Sequence, residues 1–176
     1  MVCLIGAFTV KKPAMVYIVM GVSGAGKTTI GKLLAQKLGL PFYDGDDFHT
    51  EESISKMTNG LPLTDDDREG WLQTLADSIL KWQLSSGAVL ACSALKEKHR
   101  EILRSKAANT VEWIFIQGSK NLIKERLQNR KNHFMGTNLV NSQFEILEEP
   151  VYGISVSADN PPEIILEEIL MKLGEH

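Results

Sequence analysis

The stretch from Met20 to Leu34, MGVSGAGKTTIGKLL, constrains this chain more than any other part of it. Residues Gly21 to Thr28 satisfy the pattern G-x-x-x-x-G-K-[ST] at every fixed position. The preceding MVYIVM, Met15 to Met20, is a continuous apolar run suited to a strand buried on both faces. After the loop, Ile30, Leu33, Leu34 and Leu38 form one apolar helical stripe closed by Gly39. A strand, a glycine loop and a helix in that order predict an anion cradle: the glycines let successive N–H groups converge, and the helix N-terminus adds its dipole. Phosphate is the ligand that fits.

The rest of the chain extends this unit. PFYD (41–44) predicts a second strand, Ala88 to Cys92 a third, Val111 to Gln117 a fourth and Ile154 to Val156 a fifth. Between them fall predicted helices: one carrying Leu72, Leu75, Ala76, Ile79 and Leu80, one over Glu97 to Lys106, one over Asn121 to Arg130 and one over Asn138 to Pro150. A last helix starts after Asn160, with Pro161 and Pro162 in its first turn. Alternation of this kind predicts an α/β fold of three layers, a five-stranded parallel sheet with helices on both faces. Ligands in such folds bind beyond the carboxyl ends of the strands, which draws attention to the glycine loop, Asp44 to His49, Ser93 to Lys96 and Gly118.

With 176 residues, 43% hydrophobic and 23% charged, the chain has the size and balance of one globular domain. A formal net charge of −3 argues against a nucleic-acid partner. Only Cys3 and Cys92 are present, which excludes a disulfide framework and fits a reducing, cytoplasmic setting. Residues 1–14 read as a disordered or loosely packed extension before a single domain over 15–176: the apolar run is too short to span a bilayer, and Lys11 and Lys12 follow it rather than precede it.

The glycine loop supplies the expected contacts to nucleotide phosphates: Gly21, Val22, Ser23, Gly24, Ala25, Gly26, Lys27, Thr28 and Thr29. Lys27 would reach the β and γ oxygens and the Thr28 hydroxyl would ligate Mg²⁺. YDGDDFH places Asp44, Asp46 and His49 at the same rim. Phosphoryl transfer needs one carboxylate to orient or deprotonate the attacking hydroxyl and another to hold metal-bound water, and Asp46 and Asp44 can divide those roles. If the chain stays extended they share a face; Gly45 also permits a sharper path. Arg68 and Lys96 are candidate anion contacts, with helix capping or plain solvation as the alternatives. Arg126 and Arg130 stand four apart on one predicted helix, a spacing unfavourable for like charges without a counter-anion. The adjoining polar loop, residues 131–138, suits a lid that delivers an arginine to the transferring group.

Four segments together resemble the gluconokinase family, small kinases related to shikimate and adenylate kinases: GVSGAGKTT, YDGDDFHTEESISKMTNGLPLTDDDREGWL, CSALKEKHREILR and NRKNHFMGTNLVNSQFEILEEP. The resemblance covers nearly everything from Met15 to Pro150. It implies ATP- and Mg²⁺-dependent phosphorylation of D-gluconate to 6-phospho-D-gluconate by a homodimer, with no membrane partner. Under it, Lys27, Asp46, Asp44 and Arg130 carry catalysis, Asp46, His49, Arg68 and Lys96 hold the sugar acid, Arg126 serves the nucleotide, and Thr28 with Asp44, through water, holds the metal. Two departures stand out: Gly70 where the family has proline, and Asn132 where it has glycine. Alternatives are a kinase for another hydroxy acid such as shikimate, and a nucleotide-binding regulatory module that transfers nothing. A GTPase switch is disfavoured because no D-x-x-G is followed by N-K-x-D.

Overall fold

A computed structural model describes residues 13–128 and 137–174. Five strands, β1 (Val16–Met20), β2 (Phe42–Asp44), β3 (Ala88–Ala91), β4 (Val111–Gln117) and β5 (Ile154–Ser157), form one sheet in the order β2-β3-β1-β4-β5. Every neighbouring pair is parallel. The apolar strands are therefore buried on both faces, and their side chains alternate between two cores. Val19, Val89, Ile114 and Ile116 face one core, which α1 (Lys27–Leu38), α5 (Lys120–Gln128), α6 (Thr137–Ile146) and α7 (Pro162–Leu173) close. Ile18, Met20, Leu90, Trp113 and Phe115 face the other, closed by α3 (Asp65–Gln83) and α4 (Glu97–Arg104). The predicted three layers and five parallel strands are present.

β1 is the middle strand, paired with β3 on one side and β4 on the other. The chain leaves β1 toward β2 and β3, then crosses back to β4. The glycine loop thus emerges at the point where strand order reverses, where a crevice opens beyond the strand ends. Gly21 begins it at φ 143°, and a Cβ there would lie 2.8 Å from the Ile116 carbonyl oxygen of the adjacent strand. Only glycine fits so close to β4.

Beyond shifts of one or two residues at element ends, the structure differs from the sequence reading at three places. A helix not foreseen, α2 (Glu51–Thr58), follows β2; the Thr50 hydroxyl caps it by accepting the Ser53 N–H. α6 stops at Ile146, four residues short of Pro150, because the chain is drawn off to α4: the Glu148 N–H donates to the Leu95 carbonyl at 2.8 Å, and its carboxylate accepts the Glu97 N–H at 2.6 Å. Ala14, assigned to the extension, donates its N–H to the Gln83 carbonyl at 2.8 Å at the end of α3. Residues 1–12 of that extension, and residues 131–136 of the expected lid, lie outside the described residues.

Candidate active site

The acidic segment does not continue β2. A 3-10 turn over Gly45–Phe48 starts at once, with Asp44 as its cap: the Asp44 carboxylate accepts the Asp46 N–H at 3.2 Å. Gly45 allows this by proximity, since a Cβ there would sit 2.9 Å from the Ala91 carbonyl oxygen. The two aspartates consequently separate. Asp44 accepts the Thr28 hydroxyl at 2.8 Å, while Asp46 lines a cleft with Lys27.

That cleft encloses about 490 Å³, part of it open to solvent, on the α3 side of the loop. Ser23, Lys27, Asp46, His49, Arg68 and Gln143 line it with polar groups, and Met57, Leu63 and Trp71 give it an apolar floor. Lys27 donates to the Val22 carbonyl at 3.1 Å, which keeps its ammonium at the loop. Trp71 is the strut of the acceptor side. Its indole N–H donates to the Gly45 carbonyl at 2.8 Å, and its ring stacks on His49 with centroids 4.3 Å apart.

His49 is almost enclosed, its side chain 5% exposed, and its Nδ1 has no hydrogen-bond partner among the described residues. Burial pushes its pKa below 6.5, with the nearby Asp46 pulling it up and Arg68 pressing it down. A neutral imidazole results, suited to hydrogen bonding with a hydroxyl. Arg68 is itself largely enclosed. Burial lowers its pKa, Asp65 and Asp67 oppose that, and a guanidinium stays charged regardless.

Lys96 is held elsewhere. It binds Asp65 at 2.9 Å, and the same carboxylate also takes Lys98 at 2.5 Å and the His99 ring at 3.2 Å, with Arg68 at 3.9 Å. The Lys98 and Lys96 ammonium groups hold the Asp65 carboxyl well below the usual carboxylate range. Asp65 thereby fastens the first turn of α3 to the loop after β3. A second tie fixes α2: Lys56 bridges Glu52 at 3.2 Å and Asp67 at 2.7 Å, and Asp67, held mainly by that ammonium, falls to about 2. Met57 on α2 is thus kept in the cleft floor.

The loop after β3 is set from below by Arg100, which is 1% exposed. Its guanidinium donates to the Ala94 carbonyl at 2.9 Å, to Glu97 and to the Tyr152 hydroxyl. Ala94 adopts φ 44°, a left-handed conformation costly for alanine, next to cleft residue Ser93.

A second cleft opens on the opposite side of the loop, lined by Gly24, Gly26, Thr29, Arg126, Asn160 and Pro162. Arg126 spans it, donating to the carbonyls of Ala25 and Ala158. Asn160 and Pro162 place the start of α7 at this second cleft. Gln143 is a further addition: from α6 it accepts the Ser23 N–H at 2.7 Å. Arg130 lies outside the described residues.

The donor set at Thr28 and Asp44, one hydroxyl and one carboxylate, consists of hard oxygens. No group of three or more His, Cys, Asp or Glu side chains able to hold a metal occurs among the described residues. The Thr28 and Asp44 oxygens suit a hard cation such as Mg²⁺, which takes few protein ligands and completes its shell with water and phosphate oxygens. Among the described residues no helix is long and apolar enough to cross a membrane.

The chain has relatives among known proteins. The shikimate kinase family pattern matches residues 23–170. A Gluconobacter oxydans gluconokinase is 44% identical over 160 residues, covering 87% of this chain and 88% of its own length. A probable gluconokinase of Mus musculus is 45% identical over 170 residues, covering 85% and 92%. The crystal structure of a gluconokinase from Sinorhizobium meliloti 1021 superposes with a TM-score of 0.84 at 38% identity, covering 93% of each chain.

Proposed function

We propose that this chain, which belongs to the shikimate kinase family and within it to the gluconokinases, transfers the terminal phosphoryl group of ATP to the primary hydroxyl of D-gluconate, giving 6-phospho-D-gluconate and ADP. The observation that carries the reading is the shared cleft: Ser23 and Lys27 of the phosphate loop line the same space as Asp46, His49 and Arg68.

In this mechanism the loop amides and Lys27 grip the β- and γ-phosphates, and the nucleoside lies in the cleft on the Arg126 side. Arg68, a buried cation, attracts the sugar acid's carboxylate, and neutral His49 bonds a hydroxyl. Lys96 contributes charge at one remove, through Asp65. Asp46 aligns the primary hydroxyl and accepts its proton as the new O–P bond forms and the bond from γ-phosphorus to the β–γ bridging oxygen breaks. Lys27, joined by Arg130 as the family resemblance implies, neutralises the charge that develops. Mg²⁺, held by Thr28 and through water by Asp44, would withdraw charge from the β and γ oxygens. The reading includes a homodimer, on the family resemblance, and a cytoplasmic setting, on the presence of only two cysteines.

The deciding experiment is ADP release with D-gluconate, shikimate and nucleoside monophosphates in turn. Release with gluconate alone, and a product bearing phosphate on its terminal carbon by ³¹P NMR, is the expected result. Release with shikimate and not gluconate overturns the substrate, and nucleotide binding with no product from any acceptor points to a regulatory module.

A further inference from the structure

Gln143 and Ser23 lie 120 positions apart, yet the Gln143 Oε1 accepts the Ser23 backbone N–H at 2.7 Å and its Nε2 lies 3.4 Å from the Ser23 hydroxyl. The orientation of the amide follows from chemistry: a backbone N–H only donates, so oxygen must face it. α6, which carries Gln143, is anchored in the core by Val140, 1% exposed, with Phe144 and Leu147 packed against it. The glutamine therefore reaches the loop from a fixed support.

Its place on the loop matters. Gly24, Ala25 and Gly26 line the cleft spanned by Arg126, whereas Ser23 and Lys27 line the cleft that holds Asp46. Ser23 is where the loop turns from one cleft to the other. A nucleotide whose base lies on the first side presents its terminal phosphate at that turn. The neighbouring Val22 carbonyl also takes the Lys27 ammonium, so a shift of this peptide would carry the lysine with it.

We infer that Gln143 is a positioning residue for phosphoryl transfer: by holding the Ser23 N–H it fixes the acceptor-facing rim of the phosphate loop, and with it Lys27, in the alignment that in-line attack requires. This rests on the proposed kinase function. Gln143, which also lines the cleft that holds Asp46, acts through Ser23 and Lys27 and leaves the Gly24 to Gly26 stretch on the other side untouched. Its loss should thus weigh more on turnover than on nucleotide affinity, since a displacement of about 1 Å at a reacting group costs on the order of a hundredfold in rate.

Gln143→Met keeps the length of the side chain and removes both polar atoms. The expected result is a fall in kcat of about tenfold or more. KM for ATP and for gluconate should stay within about threefold and the melting temperature within about 2 °C, while amide exchange in the peptide spanning residues 20–28 should quicken. A kcat within about twofold of wild type overturns the inference. So does a loss of kcat matched by a rise in KM for ATP or a large fall in melting temperature, which would mark a general packing role. A wild-type chain inert toward gluconate would instead remove the proposed function itself, an outcome distinct from a competent wild type with an unimpaired variant.

Discussion

Thr28 and Asp44, on the first turn of α1 and the last residue of β2, share a hydrogen bond of 2.8 Å that closes the gap between the phosphate loop and the acidic turn. The pair supplies the two hard oxygens proposed above to hold a phosphate-bound Mg²⁺, that of Asp44 through water. Asp44→Asn weakens that offer while keeping size and a hydrogen-bond partner for Thr28. The expected effect is a rise in the Mg²⁺ concentration for half-maximal rate of about tenfold, with KM for gluconate little changed, checked by titrating Mg²⁺ at saturating ATP.

Asp46 has the opposite profile. Asp46 is proposed to take the acceptor proton, so its conversion to asparagine should lower kcat by about 10²- to 10⁴-fold with gluconate saturating, while nucleotide binding persists. Unchanged turnover in Asp46→Asn would remove Asp46 from the chemistry and return the acidic turn to a structural role.

The enclosed histidines set a pH window. Burial lowers the pKa of both His49 and His99 below 6.5, although Asp46 pulls on the first and Asp65 on the second. The unfolded chain then binds more protons than the folded one just below pH 6.5, so stability is intact above that value and declines as pH falls through it. Melting temperature is expected to drop between pH 7.5 and 5.5, and His49→Gln should shrink that drop. An equal drop in the variant would place the sensitivity elsewhere.

Arg126 joins the phosphate loop to the residue preceding the β5–α7 turn through the carbonyls of Ala25 and Ala158. Arg126→Ala removes a charged donor from both. Raised KM for ATP by about tenfold, equivalent to ~1.4 kcal/mol, with kcat far less affected, is the expected outcome in steady-state kinetics.

Much of this was legible because local pattern and global fold agree. The apolar run before Gly21 is a strand because a parallel sheet buries it on both sides, and the loop glycines announce the crevice at its end. Sequence pattern failed where interactions span long separations or where burial is slight. α2 buries only Ser53, so no apolar stripe marks it, although Thr50 followed by Glu51 and Glu52 is a legible helix start. The position of Lys96 depends on Asp65, thirty-one residues away, and that of Gln143 on Ser23; neither pairing leaves a periodic trace. Arg100, a charged residue on the predicted helix over Glu97 to Lys106, is buried where it donates to the carbonyls of the loop after β3.

The stacking of Trp71 on His49 also gives the molecule a built-in optical gauge. The indole forms part of the cleft floor and is tied to Gly45, whereas Trp82 stacks on Tyr43 and Trp113 sits in the α3–α4 core against Tyr152. A sugar acid settling beside His49 would alter the surroundings of one emitter and leave the other two unchanged, so occupancy of the acceptor cleft can be followed by native fluorescence without a label or a turnover event.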